Sequence, residues 1–300
     1  MYRKILAGHD LHSGGEDAVA LGQEIARATG GQLVVAGVFP VGALPHGFEA
    51  TWIEEEENVV REIQSAADDA GAKAEAFPGS SPASGLHALA EKTEADLVII
   101  GSPRHSKLHQ TLAGDVGLGL LHGAPCAVAI APRGYAEQAH DELSTIVVGF
   151  DGSSESRLAL EDAVELAGLS GATLKLVAVA QEPSIVYGKG ASMGGYEELK
   201  VAVEEQTREQ LDEALASIPA SVTAEASVVA GDPGEKLAEA AAGGALLILG
   251  SRGYGPLRSV LLGSVSTALM RTAPCAVLIH PRGITNEPRT GRRVGAATVV

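Results

Sequence analysis

Two short segments of the chain are almost identical: residues 124–132 read APCAVAIAP, and residues 273–281 read APCAVLIHP. Each is a short aliphatic run with proline at both ends, which is typical of a buried strand that cannot extend further. Upstream of both segments the sequences continue to match without a gap, and the matched pairs include Gly114 and Gly263. Such self-similarity decides how many domains the chain contains, so it governs every later inference about the fold.

The repeat covers most of the 300 residues. Residues 101–134 align with residues 250–283 at an offset of 149, and residues 5–38 align with residues 146–179 at an offset of 141. A period this long is far outside the roughly 20–50 residues of a solenoid unit, so it indicates one domain that is duplicated and fused. The length agrees, since a domain takes roughly 150 residues. We predict a first domain at residues 1–134, a linker at 135–142, a second domain at 143–283 and a flexible tail at 284–300.

Each copy alternates short aliphatic strands with amphipathic helices. In the second copy, Thr145–Phe150 is the first predicted strand, and Ser154–Leu169 is a helix that Gly171 ends in a left-handed conformation. The further predicted elements of this copy are Thr173–Val179, Glu197–Ser217, Ser221–Val229, Pro233–Ala242, Leu246–Leu249, Gly263–Thr272 and Cys275–Ile279. Continuous aliphatic strands separated by helices indicate a parallel sheet that is covered on both faces. We therefore predict an α/β protein of two tandem doubly wound, Rossmann-like domains, each with a five-stranded parallel sheet and helices on both faces.

The two predicted fifth strands suggest how the copies meet. Cys126–Ala131 and Cys275–His280 both follow Ala-Pro and end at proline, which limits each to a short strand at the edge of a sheet. We expect the two copies to pair with each other through these edges, around a pseudo-twofold axis within the chain. A homodimer of whole chains is a further expectation.

Charge and composition exclude several classes of protein. Lys and Arg number 22 against 38 Asp and Glu, a net charge of −16 at pH 7, which argues against a general binder of nucleic acids or of anionic membranes. No apolar run is long enough for a transmembrane helix, and the N-terminal residues MYRKILAGHD turn polar too early for a signal peptide. Two cysteines cannot form a disulfide scaffold. We therefore expect a cytoplasmic protein with a large aliphatic core.

A glycine-rich loop follows the predicted fourth strand of the second copy, where doubly wound sheets bind ligands. It reads GSRG at residues 250–253 and, after nine further residues, GSVS at residues 263–266. Glycines let a ligand approach the main chain closely, and the start of a helix favours an anion. Ser264 and Ser266 add hydroxyl donors on the first turn. The loop lacks the Gly-Lys-Ser/Thr of a Walker A loop, so it predicts a different kind of phosphate site.

This combination resembles the universal stress protein family, specifically a tandem two-domain member of its ATP-binding subclass, over about residues 1–283. The family motif is Gly-x-x-Gly, nine residues, then Gly-Ser/Thr. By this resemblance, Asp151 would hold the nucleoside, the main chain at Val179 would meet the adenine edge, and the glycine loop would hold ribose and phosphates. The nucleotide-binding residues that it implies are Gly149, Asp151, Val179, Gly250, Arg252, Gly253, Gly263, Ser264, Val265 and Ser266. The implied ligand is ATP, with or without Mg²⁺.

The first copy departs from the motif. It retains Asp10, Val38, Gly101 and Gly114, but the second glycine is replaced by Arg104 and the serine by Asp115. Arginine at a positive φ would cost ~1–2 kcal/mol. A carboxylate about 4 Å from a phosphate would repel it by roughly 4 kcal/mol at an effective dielectric constant near 20. We therefore expect ATP mainly in the second copy, and AMP or no nucleotide in the first.

Three functions remain open at this point. The first is a regulatory, adenine-nucleotide-binding protein of the stress response. The second is a weak ATPase or a nucleotidyl-transferring enzyme, although no catalytic base or metal cage is evident beside the loop. The third is a nucleotide-free adaptor. Asp10 and Asp151 could also cap the helices that follow them, a role compatible with ligand binding. The histidines near the first-copy loop (His9, His12, His105 and His109) suggest no closed set of metal ligands.

Overall fold

The computed structural model describes residues 1–11, 13–40, 49–103, 112–138, 143–181, 193–243, 246–251 and 263–280. These ranges contain ten strands and eight helices. The first copy consists of β1 (Lys4–Gly8), α1 (Ser13–Thr29), β2 (Gln32–Pro40), α2 (Glu49–Asp69), β3 (Lys73–Gly79), α3 (Pro82–Thr93), β4 (Leu97–Gly101), α4 (Asp115–Leu121) and β5 (Ala127–Ala131). The second consists of β6 (Thr145–Gly149), α5 (Ser154–Ser170), β7 (Thr173–Ala180), α6 (Met193–Ala216), β8 (Ala224–Ala230), α7 (Pro233–Ala240), β9 (Leu246–Gly250), α8 (Ser264–Thr272) and β10 (Ala276–His280).

All ten strands belong to one sheet, in the order β3-β2-β1-β4-β5-β10-β9-β6-β7-β8. Pairing is parallel within each copy, and β5 and β10 pair antiparallel, with Ile130 opposite Val277 and Val128 opposite Ile279. The predicted fold class is confirmed. Because the joint is antiparallel, the carboxyl ends of the strands of one copy lie at the same end of the sheet as the amino ends of the other.

The central strands of the sheet are buried on both faces, as their continuous aliphatic sequences predict, whereas the outermost strands β3 and β8 are mostly exposed or partly buried. In β1, for example, Ile5 and Ala7 belong to one core layer and Leu6 belongs to the other. Helices α1, α2, α5 and α6 contribute to the first layer, and α3, α4, α7 and α8 contribute to the second. Each layer runs through both copies, so the hydrophobic core continues across the joint between β5 and β10.

The helix boundaries follow local signals that the sequence contains. Gly171 ends α5 with φ of 75° and donates its N–H to the carbonyl of Ala167, which confirms the predicted left-handed C-terminal residue. Pro233 starts α7, and the side chain of Asp232 accepts from the N–H of Glu235 in its first turn. Strand β8 starts three residues later than predicted, because the N–H of Val222 donates to Pro219 in a turn. Among the residues described above, no helix combines the length and the apolar character that a membrane span requires.

Candidate functional site

The strand order of the second copy reverses between β6 and β9, because β7 and β8 lie on one side of β6 and β9 lies on the other. Ligands of doubly wound sheets bind outside the carboxyl ends of the strands at such a point. Gly149 and Gly250 are the last residues of these two strands. Helix α8 begins at this end as well, because it connects the parallel strands β9 and β10. We call this end of the second copy, where its strands have their carboxyl ends, the second-copy edge; it extends from Gly149 and Gly250 to the start of α8. The equivalent carboxyl ends of β1 and β4, with the start of α4, form the first-copy edge.

The first glycine of the loop motif is required by the fold itself. A Cβ on Gly250 would lie 2.4 Å from the carbonyl carbon and oxygen of Glu155, in the first turn of α5. A Cβ on Gly101 would lie 1.8 Å from the carbonyl oxygen of Gly14, in the first turn of α1. Both distances are far below any real Cβ contact, and the opposing atoms are backbone. These two glycines therefore let the first helix of each copy pack against the end of the fourth strand, with or without a ligand.

Gly149 has a packing reason of the same kind. A Cβ there would lie 2.7 Å from Cδ2 of Leu249 and 3.0 Å from Cδ1 of Leu237. The glycine at the end of β6 thus leaves room for side chains of β9 and α7. It brings the backbone of the second-copy edge close to both elements.

An acidic residue follows the first strand of each copy, and the two residues make different hydrogen bonds. Asp151 is exposed, and its Oδ1 accepts from the N–H and the hydroxyl of Ser153, which is the N-cap residue of α5. Asp10 is also exposed, and its Oδ1 accepts directly from the N–H of Gly15 at 2.9 Å, in the first turn of α1. The capping alternative therefore applies directly to Asp10, whereas Asp151 acts on its helix through Ser153. Both carboxylates remain at the surface of their edges, where a ligand hydroxyl can reach them.

The start of α8 is the strongest candidate for anion binding. Its N-cap residue is Gly263, and no side chain among the described residues caps its first amides. In contrast, α3, α5 and α7 are capped by the side chains of Ser81, Ser153 and Asp232. Uncapped amides at a helix start are donors that an anion can occupy, and the helix dipole favours negative charge there. Ser264 on this turn is exposed and Ser266 is buried.

The remaining predicted residues fall in two groups. Val179 and Val38 lie near the ends of β7 and β2, next to the strands that carry the acidic residues, and both are partly buried. Val265 is partly buried in the first turn of α8. Arg252 and Gly253 lie outside the described residues, as do the predicted first-copy residues Arg104, His12, His105 and His109.

The first-copy edge has the same framework with different groups on it. Gly114 is the N-cap residue of α4 and, like Gly263, has no side-chain cap bond among the described residues, but Asp115 follows it in the first turn. The most unusual residue is Leu11, which has a φ of 61° and is 36% exposed. The repeat places Gly152 at the corresponding position of the second copy, with φ of 74°. The backbone conformation is therefore shared, but only the second copy has the residue type that adopts it without strain.

Beside the second-copy edge lies a polar network that sequence reasoning missed. The hydroxyl of Tyr2 donates to Oδ2 of Asp162 at 2.8 Å, and Nδ1 of His280 lies 2.6 Å from the same oxygen. The only sequence signal is that Asp162 interrupts the apolar stripe of α5, and that His280 ends an otherwise aliphatic strand. Burial raises the pKa of the Tyr2 hydroxyl well above its ordinary value of 10.0, and the charge of Asp162 raises it further.

The two cysteines are free and buried at equivalent positions of the two copies. Burial raises the pKa of the Cys275 thiol to about 12, so its reactive thiolate is suppressed at neutral pH. Among the residues that the structure describes, no group of three or more His, Cys, Asp or Glu side chains could hold a metal ion.

Comparison with known proteins gives a consistent result. The sequence profile of the universal stress protein family matches the chain twice, at residues 1–132 and 142–281. A universal stress protein of Mycobacterium tuberculosis is 31% identical over 193 residues, which is 62% of this chain and 62% of that protein. A second one from the same organism is 28% identical over 203 residues, 67% of this chain and 69% of that protein. The aligned region thus spans about three fifths of the length of the first relative.

The fold has solved counterparts as well. The crystal structure of a universal stress protein from Archaeoglobus fulgidus superposes with a TM-score of 0.65 at 22% identity, over 94% of this chain and 100% of that chain. A protein of unknown function from Pseudomonas aeruginosa superposes with a TM-score of 0.67 at 16% identity, over 93% of both chains. At these identities the likeness concerns the fold alone.

Proposed function

The chain belongs to the universal stress protein family, and from this premise we propose that it binds ATP, chiefly at the second-copy edge, as a regulatory protein of the stress response. In this proposal the second domain, residues 143–283, holds the nucleotide, and the first, residues 1–134, binds AMP or no nucleotide. We also propose that the protein acts in the cytoplasm. Its two domains would stay paired in solution through β5 and β10, with or without a homodimer of whole chains.

One observation carries the proposal: α8 begins without a side-chain cap, at the edge where Asp151 and Gly250 also lie. The first amides of α8 would receive the phosphates, and the hydroxyls of Ser264 and Ser266 would add donors to them. Arg252, Gly253 and Val265 complete the phosphate-binding loop in this assignment. An Mg²⁺ ion would enter with the phosphates as part of the bound nucleotide.

The nucleoside end of ATP would lie toward β6 and β7. The exposed carboxylate of Asp151 accepts hydrogen bonds at the end of β6, and a ribose hydroxyl is a suitable further donor to it. Val179 lies near the end of the next strand, where its main chain would meet the edge of adenine. A nucleotide bound in this way would extend across the point where the strand order reverses.

The first copy would not bind a triphosphate in the same way. Asp115 places a carboxylate at the start of α4, where the second copy has Ser264. A negative charge near the phosphates raises the free energy of the bound state. The retained residues Asp10, Val38, Gly101 and Gly114 would leave room for AMP at most.

Isothermal titration calorimetry of the full chain with ATP tests the proposal. We expect about one ATP per chain. The Gly263→Ala variant should bind ATP at least about tenfold more weakly, a loss of about 1.4 kcal/mol, because the added methyl group meets the phosphates at the helix start. The φ of Gly263 is −65°, so alanine fits its backbone.

A matched control is Gly168→Ala, since a Cβ on that helical glycine makes only an ordinary contact of 3.6 Å with Val222. This variant should bind ATP like the wild-type chain. Absence of ATP binding by the wild-type chain would refute the function, and two equivalent ATP sites would refute its assignment to the second copy.

A further inference from the structure

Three buried side chains from distant parts of the chain meet beside the second-copy edge. Tyr2 precedes β1, Asp162 lies in α5 and His280 ends β10. Their exposed fractions are 4%, 1% and 3%. A carboxylate that is buried this completely is costly unless it accepts hydrogen bonds, and Asp162 accepts one from the Tyr2 hydroxyl and contacts Nδ1 of His280. The three side chains therefore form one unit, to which both copies contribute.

This network is connected directly to the glycine turn. His280 pairs in register with Gly250, and its carbonyl accepts the N–H of Ser251 at 3.0 Å. Helix α5, which carries Asp162, also places Glu155 against Gly250. The turn after β9 is thus held from two directions, by the backbone of β10 and by the first turn of α5. Asp162 fixes these two elements to each other through the side chain of His280.

The first copy provides an internal comparison. Its backbone makes the same bond, from the N–H of Ser102 to the carbonyl of Ala131 at 3.0 Å. At the offsets of the repeat, however, Leu21 stands in place of Asp162 and Ala131 stands in place of His280. Both are fully buried in the apolar core. The polar contact at the last residue of the fifth strand is therefore specific to the second copy, whereas the first copy joins α1 to the residues after β5 through Glu24 and Tyr135.

The first copy also contacts α8. The N–H of Ala113 donates to the carbonyl of Met270 at 2.8 Å, in the last turn of that helix. The carbonyls of a last helical turn lack partners within the helix, so this bond fixes the end of α8 to the first copy. The two parts of the proposed phosphate site, the turn at Gly250 and the helix α8, are each tied to residues of the first copy.

We propose that Tyr2, Asp162 and His280 are positioning residues, through which the first copy holds the glycine turn of the second copy in the shape that binds nucleotide. This inference rests on the proposed function. The first copy then has a role that does not require a ligand of its own, because its residues Tyr2 and Ala113 support the nucleotide site of the second copy. The network acts through the backbone of His280 and never touches the nucleotide.

The test replaces Asp162 and His280 with the residues at the equivalent positions of the first copy and removes the Tyr2 hydroxyl as well. Asp162→Leu and His280→Ala, combined with Tyr2→Phe, remove the carboxylate together with the two groups that contact it. Replacing a buried ionic group by apolar residues is often neutral for folding, and the introduced leucine and alanine correspond to Leu21 and Ala131, which are fully buried in the first copy. A matched control is Tyr135→Phe, which removes a buried bond of the same kind, from the Tyr135 hydroxyl to Glu24. Tyr135 lies near Cys275, at the amino end of β10, whereas His280 and the glycine turn lie at its carboxyl end.

Two readouts are measured on the full chain: hydrogen exchange of the Ser251 amide without nucleotide, and the dissociation constant for ATP. We expect the triple variant to exchange Ser251 about tenfold faster and to bind ATP about tenfold more weakly. The control should change neither, even if its melting temperature falls. In the wild-type background, His280→Asn should keep both values near those of the wild-type chain, because its amide nitrogen can donate from nearly the position of Nδ1, whereas His280→Ala should not.

The outcomes separate the two proposals. If the triple variant exchanges Ser251 and binds ATP like the wild-type chain, the positioning role is wrong. An equal change in the Tyr135→Phe control would also overturn it, since the effect would then be general destabilisation. If the wild-type chain binds no ATP but Ser251 exchange still responds as expected, the proposed function fails while the hold on the glycine turn stands.

Discussion

Replacing Gly101 by alanine tests whether the first motif glycine serves the fold or a ligand. The new Cβ would lie 1.8 Å from the carbonyl oxygen of Gly14, whereas ordinary contacts of a Cβ begin at 3.4 Å. The first turn of α1 would have to move away from the end of β4 by about 1.6 Å, the difference between the two distances. The opposing atom belongs to the backbone, so no side-chain rotation can relieve the clash.

The expected cost follows from this displacement. Overpacking of a well-packed interior typically costs 1–3 kcal/mol, and a forced movement of a helix start places Gly101→Ala at the upper end, about 3 kcal/mol. For a chain of this size, that corresponds to a decrease of the melting temperature of roughly 6–12 °C. Circular dichroism during thermal or urea unfolding measures it, without any nucleotide present.

The matched control is Gly171→Ala, at the end of α5. Gly171 has a φ of 75°, but a Cβ there would have nothing within 4 Å. This variant should therefore cost only the backbone strain, about 1 kcal/mol. If Gly101→Ala is no less stable than Gly171→Ala, the packing argument is refuted. The presence of glycine at position 101 would then have to be explained by a bound ligand.

Three further results are expected. Leu11→Gly should raise the free energy of unfolding by up to about 1 kcal/mol, because glycine adopts a φ of 61° without strain. A lower melting temperature would show instead that the packing of the leucine side chain outweighs this strain. Cys275 has a pKa raised to about 12 by burial, so iodoacetamide at pH 8 should leave it unmodified in the folded chain and alkylate it in urea. The raised pKa of Tyr2 means that its contribution is complete below pH 10 and declines as the pH rises further. The stability loss between pH 9 and 11 should therefore be smaller in Tyr2→Phe, and an identical loss in both chains would contradict this.

Local sequence signals were sufficient to predict the architecture. The Ala-Pro-bounded strands, the duplicated blocks and the helix ending at Gly171 all depend on neighbouring residues, and the structure contains each of them. Boundaries without a strong local signal were less accurate: α6 begins at Met193, four residues before the predicted start. Periodicity is a weak guide there, because the first turn of that helix contains Gly194 and Gly195.

The site was only partly accessible from the sequence. The motif gave the residues of the second-copy edge, but it could not show that Gly250 is also required by the approach of Glu155, since that contact joins residues almost a hundred positions apart. The network of Tyr2, Asp162 and His280 was missed for the same reason. Comparing the two copies position by position would have shown Leu21 opposite Asp162, and this polar exception in an apolar stripe is the signal that was available.

The antiparallel pairing of β5 and β10 also keeps the charged groups of the two edges far enough apart for salt to screen them from each other. Each of these strands has five residues, and their carboxyl-terminal residues are four positions apart in the register of the pair, so the two edges lie about 13 Å apart along the strand direction. This exceeds the Debye length of about 8 Å at physiological ionic strength, and the carboxylate of Asp115 is therefore screened from the start of α8. In a dimer of identical subunits, every substitution changes both edges at once. In this single chain, acidic groups can accumulate at one edge while the other keeps the amides and hydroxyls that an anion requires, so the two edges are free to diverge.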